Sequence, residues 1–227
     1  MCFSATASFV AGGALIPLGG LALLQAWRID RRYLTLAAFP CLFGIQQCFE
    51  GYLWRSIDDP GMMVSHAAAM AFLFFGYFFW LILAPLAAFF VEDRVWLRRA
   101  FLGCALFGGA FGLSLYVPLV LRPEWLSVEI VRNSIQYDTR LIYDDFGSVT
   151  VLRLAYAALI CLPLLACTAY GVRTFGVLIT VSVIVTFLFS AYAFTSVWCY
   201  FAALLSGYVV FLMFRLPSRS QRLATIR

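Results

Sequence analysis

Long apolar runs, separated by short polar connections, recur along the entire chain of 227 residues. Each run has about 20 residues, which is enough for an α-helix to cross ~30 Å of hydrocarbon. The pattern predicts an all-α polytopic membrane protein, a single domain over residues 1–227 with seven transmembrane helices. The predicted spans are 5–27, 33–57, 62–90, 98–120, 150–172, 174–194 and 197–215.

The connection between the fourth and fifth predicted spans, residues 121–150, has a different pattern. Residues 126–130 and 135–141 alternate apolar and polar side chains, and 132–134 separate them as a turn. Alternation of this kind is typical of β-strands. We therefore expect an extracytoplasmic β-hairpin or amphipathic cap. A loop of this length is often a lid or binding element, and a solvated surface ornament is the alternative.

Composition supports the prediction of a membrane protein, and the distribution of charge predicts its orientation in the membrane. Hydrophobic residues make up 64% of the chain and charged residues 12%, with a mean hydropathy of +0.94, whereas soluble domains carry about 25% charged residues. All sixteen basic residues are arginine, and eleven of them fall on one side of the predicted membrane. The positive-inside rule then places the N-terminus outside and the tail, 216–227, in the cytoplasm.

Two classes of partner are excluded by the same residues. The net charge of +5 comes from the arginine-rich membrane face, so it does not indicate nucleic-acid binding. Seven helices with many aromatic residues suggest a retinal protein, but a retinal Schiff base requires a lysine amine. The chain has no lysine, so a covalent retinal site is excluded.

The most informative polar stretch lies inside the second predicted span and reads FGIQQCFEGYLW, residues 43–54. On a helix, Gln46, Gln47, Glu50 and Trp54 share one face, because residues three and four apart are neighbours. A carboxylate in a membrane span should face the bundle interior, a partner or water rather than lipid. We expect Glu50 to face inward, with Gln46, Gln47 and Trp54 available to a bound ligand.

The other rare polar groups are predicted at a similar depth. Glu50 lies about eight residues from the outer end of its helix, or ~12 Å along the axis, and His66 lies at a similar depth on the next, antiparallel span. Cys2 begins the first span on this outer side, and Cys199 lies near the start of the seventh. We therefore predict that Glu50 and His66 face each other or a shared pocket, between spans one, two, three and seven.

Cys2, Glu50 and His66 together offer the three common ligand types for zinc, with a fourth position open as in catalytic sites. If the ion is copper, Cys2 and His66 with the methionines Met62, Met63 and Met70 suit Cu(I) better. In an enzyme, Glu50 and His66 would be the catalytic acid and base. Two structural alternatives remain open: a hydrogen-bond network around Glu50 that only fixes packing, and a disulfide between Cys2 and Cys199.

A family resemblance is carried by three segments, MCFSATASF, DRRYLTLAAFPCLFGIQQCFEG and SHAAAMAFLFF. They resemble an uncharacterised family of bacterial multispanning membrane proteins that begin Met-Cys-Phe-Ser or Met-Cys-Trp-Ser. The resemblance covers mainly the first three spans and implies a bacterial source, with the cytoplasmic (inner) membrane as location. It implies no activity, so no functional residue follows from it.

The sequence thus predicts an inner-membrane protein whose outward-facing polar pocket binds a metal ion or a small polar ligand. Such a pocket would suit a membrane-embedded metal-dependent enzyme, although the sequence leaves open whether the protein is an enzyme. A transporter or channel for a small solute or ion is one alternative. A structural or sensor subunit of a membrane complex is the other, and it would need a partner protein.

Overall fold

The computed structural model describes residues 4–58, 65–144 and 148–216, and these residues form seven long helices. The helices are α1 Ala5–Ile29, α2 Phe39–Asp58, α3 His66–Val91, α4 Val95–Leu121, α5 Val149–Ala166, α6 Tyr170–Phe189 and α7 Ala191–Arg215. Apart from α2, each is long and apolar enough to cross a membrane. The chain is therefore an all-α, multi-pass membrane protein.

Two of the long helices are irregular. Residues Phe74–Phe79 of α3 form a π-helical segment between two α-helical parts. Helix α7 begins with a 3-10 turn, Ala191–Ala193, and is interrupted by a turn at Ser206. Shorter helical turns occur in the connections at Arg31–Tyr33, Leu34–Ala37 and Pro123–Trp125.

The predicted hairpin is confirmed within the long connection. Strand β1, Leu126–Val131, pairs antiparallel with β2, Ser134–Thr139. Arg132 and Asn133 between them have φ of 49° and 59°. This left-handed backbone is the one that two-residue hairpin turns use, because it matches the twist of the strands.

One of the larger differences from the predicted boundaries is at the end of the fifth span. The prediction extended this span to residue 172, but α5 ends at Ala166, where Cys167 leaves the helix with ψ of 135°. The chain turns there because Thr168 is held by Glu92 from the connection before α4. An apolar run that continues through a buried turn gives no sequence signal for it.

Helices α1 and α2 are in close contact through small residues. A Cβ added at Gly12 would lie 2.7 Å from the Cys48 sulfur, and one added at Gly19 would collide with the Cys41 backbone. Further along, Phe9 lies against Gly51. As the residue number rises on α1 it falls on α2, so the two helices are antiparallel and pack along most of their length.

Polar contacts gather three connections at one end of the bundle. An Arg32 nitrogen lies 2.6 Å from an Asp93 oxygen, which joins the α1–α2 connection to the α3–α4 connection. Glu92 accepts hydrogen bonds from the Thr168 amide and hydroxyl, at 2.7 and 2.8 Å, which adds the α5–α6 connection. The hairpin lies at the opposite end, with the starts of α5 and α7; we call this the hairpin end.

The neighbouring glycines of α1 provide a matched test of its packing. We expect Gly19→Ala to destabilise the protein by about 1–3 kcal/mol, because the new methyl group meets backbone that cannot move aside. Gly20 has open space around an added Cβ, so Gly20→Ala should leave stability unchanged or slightly raised. Thermal unfolding of both variants in the same detergent checks this. Equal unfolding temperatures would contradict the close contact of α1 with α2 at Gly19.

The buried Glu92 carboxylate predicts a pH effect. Burial by itself raises the pKa of Glu92, but hydrogen bonds from Arg94, Thr168 and Asp93 outweigh it and hold that pKa below its ordinary 4.5. A carboxyl with a lowered pKa stabilises the fold above its unfolded pKa, and this contribution is lost as the pH falls through the folded pKa. Glu92→Gln should therefore cost about 1.5–3 kcal/mol at neutral pH, and the difference from wild type should shrink below about pH 4.5.

Asp93→Asn is the control for this measurement. Asp93 is next in sequence, but its side chain is 82% exposed in its pair with Arg32, and exposed pairs contribute little. Thermal unfolding at neutral and acidic pH should separate Glu92→Gln from both wild type and Asp93→Asn. A Glu92→Gln protein as stable as wild type at neutral pH would refute the role of this carboxylate.

Candidate functional site

Glu50 lies inside the bundle and links two helices. Its side chain is fully buried, as are those of Gln46 and Gln47. Gln47 Nε2 donates to Glu50 Oε2 at 3.2 Å, and the Ser196 hydroxyl of α7 donates to Oε1 at 2.5 Å. The inward orientation expected from the cost of a charge in lipid is thus confirmed, and the carboxyl joins α2 to α7.

The other polar residues of this face are engaged in packing. Gln46 Oε1 accepts a 2.8 Å hydrogen bond from Trp80 Nε1, and the Trp80 ring stacks on Phe43 at 3.9 Å. Trp54 is 4% exposed. Three buried atoms have no hydrogen-bond partner among the described residues: Gln46 Nε2, Gln47 Oε1 and Trp54 Nε1. These three atoms retain the capacity to bind water or a ligand.

His66 and Glu50 differ in their exposure. His66 is the first residue of α3, after the N-cap Ser65, and its side chain is exposed whereas Glu50 is buried. The prediction that these two side chains face each other or a shared pocket stays a prediction, and this difference in exposure does not favour it. The position of a residue along its helix axis gives its depth, but not the direction of its side chain.

The metal prediction finds no support in the part of the chain that the structure describes. Among residues 4–58, 65–144 and 148–216, no group of three or more His, Cys, Asp and Glu side chains is arranged to hold an ion. Cys2, Met62 and Met63 lie outside these ranges. A site that includes Cys2, and the alternative Cys2–Cys199 disulfide, remain predictions.

A cavity of about 270 Å³ lies at the hairpin end, between the hairpin and helices α3, α4, α5 and α7. Its polar lining consists of Tyr77, Gln136, Tyr137, Asp138, Thr139, Asp144, Arg153, Tyr156, Tyr192, Thr195 and Cys199. The pocket was predicted between spans one, two, three and seven, so this position corrects the prediction. Helices α1 and α2 instead pack closely against each other, and the hairpin supplies one wall of the cavity.

The hairpin is docked into the bundle by its inward-facing residues. Ile135 is fully buried, and the Tyr137 ring stacks on Phe72 of α3 with centroids 5.1 Å apart and nearly parallel planes. Thr139 Oγ1 lies 3.0 Å from the Tyr77 hydroxyl. The hairpin is therefore a packed wall of the cavity, which excludes the alternative of a solvated ornament.

The π-helical segment of α3 supplies a backbone acceptor at the cavity. The Gly76 carbonyl accepts a short hydrogen bond from the Tyr156 hydroxyl of α5. A Cβ at Gly76 would lie 3.1 Å from the Thr195 methyl group, so the glycine permits α7 to approach closely. π-helical turns are rare and are frequent at functional sites. This segment is thus a second feature that marks the cavity as the candidate site.

Tyr137 and Cys199 connect the cavity to the Glu50 cluster. Both line the cavity, and Cys199 lies one helical turn after Ser196, which donates to Glu50. Burial raises the pKa of Tyr137 well above its ordinary value, and the charge of Glu50 raises it further. The phenol is therefore neutral at physiological pH, and within the described part of the chain its buried hydroxyl has no hydrogen-bond partner. It can donate to a molecule in the cavity.

The sequence pattern identified only part of the cavity lining, namely Cys199 and the alternating segment 135–141 that contains Tyr137. Arg153 was considered only in the count of arginines, and Tyr77 and Tyr156 were not singled out. One signal was present, because Arg153 lies five residues into an apolar run and charged residues inside such runs are functional candidates. The tyrosines gave no comparable signal, since aromatic residues are abundant in all spans.

Comparison with known proteins identifies a family but adds no functional information. No curated protein and no solved structure matches the chain. A family model described as a family of unknown function, DUF6629, matches residues 1–225, which confirms the resemblance to an uncharacterised family. Because the match covers nearly the entire sequence, the chain belongs to this family of unknown function, DUF6629.

Proposed function

We propose that the chain crosses the bacterial cytoplasmic membrane seven times, with its N-terminus outside. The Arg32–Asp93 contact supports this, because it places the end of α1 and the end of α3 at the same face. Helix α3 is long enough to cross, so its start at His66 lies at the opposite face. The chain must therefore cross the membrane between the end of α1 and the start of α3. Helix α2, antiparallel to α1, provides that crossing. Its buried Gln46, Gln47 and Glu50 lower its mean hydropathy.

The arginine distribution supplies the orientation. Arg28, Arg31 and Arg32 lie at the end of the bundle where Arg32 pairs with Asp93 and Thr168 donates to Glu92, away from the hairpin. By the positive-inside rule, this end is cytoplasmic. The hairpin and the cavity behind it then open on the extracytoplasmic side.

Fusions after successive connections test this topology. We expect a cytoplasm-dependent fluorescent reporter to be active after Arg32, Arg94 and Arg227. A periplasm-dependent phosphatase should be active after Ser65 and Asn133, because the positive-inside rule and seven crossings place these on the outer side. If fusions after Arg32 and Ser65 report the same side, α2 does not cross and the seven-span arrangement is wrong.

We infer that the protein binds a small polar organic molecule in the cavity behind the hairpin. The single observation that carries this proposal is the cavity itself, enclosed by the docked hairpin and lined by polar groups from four elements. At about 270 Å³ it could hold about nine water molecules at ~30 Å³ each. Ligand sites are concave, largely pre-formed and marked by a few converging polar groups.

A purely structural role for such a cavity would leave polar groups in its wall unpaired. The cavity of about 270 Å³ is partly open, so water fills it when no ligand is bound. Among the described residues, the Tyr137 hydroxyl and the Trp198 indole nitrogen are buried without a hydrogen-bond partner. An unpaired buried donor costs about 1–3 kcal/mol, and a ligand that accepts hydrogen bonds from these two groups would remove that cost.

Glu50 has a supporting role in this proposal. Its hydrogen bond from Ser196 holds the start of α7 against α2. Thr195, which precedes Ser196, and Cys199, one helical turn after it, both line the cavity. Glu50 is thus a positioning residue for the cavity wall, and the proposal assigns no role to His66.

Two leucines on α5 provide a matched test of ligand binding. Leu152 lines the cavity, whereas Leu154 on the same helix is 55% exposed. We expect Leu152→Trp to abolish binding, because the indole fills the cavity, and Leu154→Trp to leave binding unchanged. The probes are fragment-sized aromatic molecules, each prepared as a matched carboxylate, carboxamide and amine, for example 4-phenylbutyrate, 4-phenylbutanamide and 4-phenylbutylamine.

Saturation-transfer NMR on the protein in phosphatidylcholine nanodiscs measures this binding. Signals that are present with wild type and Leu154→Trp but lost with Leu152→Trp would support a ligand site in the cavity. Signals that Leu152→Trp does not reduce would place the binding elsewhere and refute the proposal. If no probe of any charge binds to the wild-type protein, the proposed function fails.

A further inference from the structure

Arg153 is the one basic residue among the described residues that line the cavity. Its side chain is half-buried, in the first turns of α5. Nη1 donates a 2.7 Å hydrogen bond to the Ala191 carbonyl, and the guanidinium lies 5.4 Å from the centre of the Phe194 ring. Both contacts are with α7, so the group is fixed in place at the cavity wall.

These contacts orient the guanidinium without neutralising it. Within residues 4–58, 65–144 and 148–216, no carboxylate forms an ion pair with Arg153; the ion pairs there join Arg32 to Asp30 and Asp93. A guanidinium has five donors, and the Ala191 carbonyl uses one. A half-buried cation is less screened than a surface one, so it attracts an anion more strongly.

The acidic residues of the cavity lining are in contact with water, which weakens their electrostatic interaction with Arg153. Asp138 and Asp144 are exposed, and Asp144 Oδ2 already accepts a 2.8 Å hydrogen bond from the Leu141 amide. Solvent screens such charges. The deeper part of the lining contains Tyr77, Tyr137 and Tyr156, which are neutral hydroxyls rather than competing charges.

A second, apolar space lies on the far side of Tyr156, Trp198 and Cys199. These three side chains line both the cavity and a second space of about 30 Å³ that leads toward the middle of the bundle. The remaining lining of the second space is apolar: Phe39, Phe43, Trp80, Ala84, Ile160, Leu164, Phe175, Ile179 and Ala202. At roughly the size of one water molecule, it suits the end of an apolar group rather than a second polar one.

We propose that the ligand is an amphipathic organic anion, with a carboxylate or phosphate group paired to Arg153. Its apolar part lies along Tyr156 and Trp198 toward the aromatic space. Arginine binds carboxylates and phosphates through two parallel hydrogen bonds, which gives both affinity and orientation. This inference rests on the proposed ligand site and adds the charge and polarity of its occupant.

The matched probe series tests the charge preference directly. With wild-type protein we expect each carboxylate to bind at least about tenfold more tightly than its carboxamide, as charge-assisted hydrogen bonds predict, and the amine to bind most weakly. Arg153→Gln should remove this preference and leave carboxamide binding within about twofold of wild type. Arg153→Lys should retain part of the preference, because it keeps the charge but loses the bidentate geometry.

Arg140→Gln is the matched control. Arg140 is an exposed arginine on the same end of the molecule, it contacts the Trp125 ring, and it does not line the cavity. Its loss should not change the ratio of carboxylate to carboxamide affinity. Both affinities are measured on the same sample, so a smaller folded fraction in any variant does not alter this ratio.

The membrane composition distinguishes the two sources of such an anion. If the occupant is an anionic lipid headgroup, phosphatidylglycerol in the nanodiscs should weaken carboxylate binding to wild type but not to Arg153→Gln. If the occupant is a soluble anion, phosphatidylglycerol should have no effect; either result supports an anionic ligand.

Three results of the probe series would overturn the inference: equal binding of acid and amide, a preference for the amine, or an acid preference that survives in Arg153→Gln. In each case the probes still bind, so the proposed ligand site would stand.

Discussion

The docking of the β-hairpin against α3 is the contact on which the candidate site depends. Its two strands pair with each other, so the backbone groups on their facing edges are satisfied within the hairpin when it packs against the helices. Tyr137 stacks on Phe72, and Thr139 reaches the Tyr77 hydroxyl. Without these contacts, the space between α3, α5 and α7 would be an open groove. With them, it becomes a partly enclosed cavity in which a charge is only partly screened.

The helices behind the cavity are positioned by two polar constraints inside the bundle. The Glu50 carboxyl needs donors within an apolar environment, and it obtains one from Ser196, which fixes α2 against α7. In α3, the π-helical segment at Phe74–Phe79 interrupts the regular hydrogen bonding, and there the Gly76 carbonyl is bonded by Tyr156. Both constraints act on the walls of one cavity, although neither Glu50 nor its glutamine neighbours line it.

The candidate site was only partly predictable from the sequence. The polar face of α2 and its inward orientation followed from helical periodicity, because Gln46, Gln47 and Glu50 lie within one turn of each other. Its partners did not follow, since Ser196 is 146 residues away and no local pattern links the two. Arg153 could have been found as a charge within an apolar run. Its role depends on its hydrogen bond to the Ala191 carbonyl and on its having no ion pair with a carboxylate of the described residues, and both are properties of the packing.

The sequence by itself determined the class of protein, because a run of about 20 apolar residues is stable only as a membrane-spanning helix or a buried one. It also determined the hairpin, through the period-two alternation of its strands and the short turn between them. The tertiary structure decided where the cavity lies, that Glu50 is buried while His66 is exposed, and which tyrosines line the cavity. Periodicity defines a face of a helix, but the rotation and neighbours of that face depend on contacts between residues far apart in the chain.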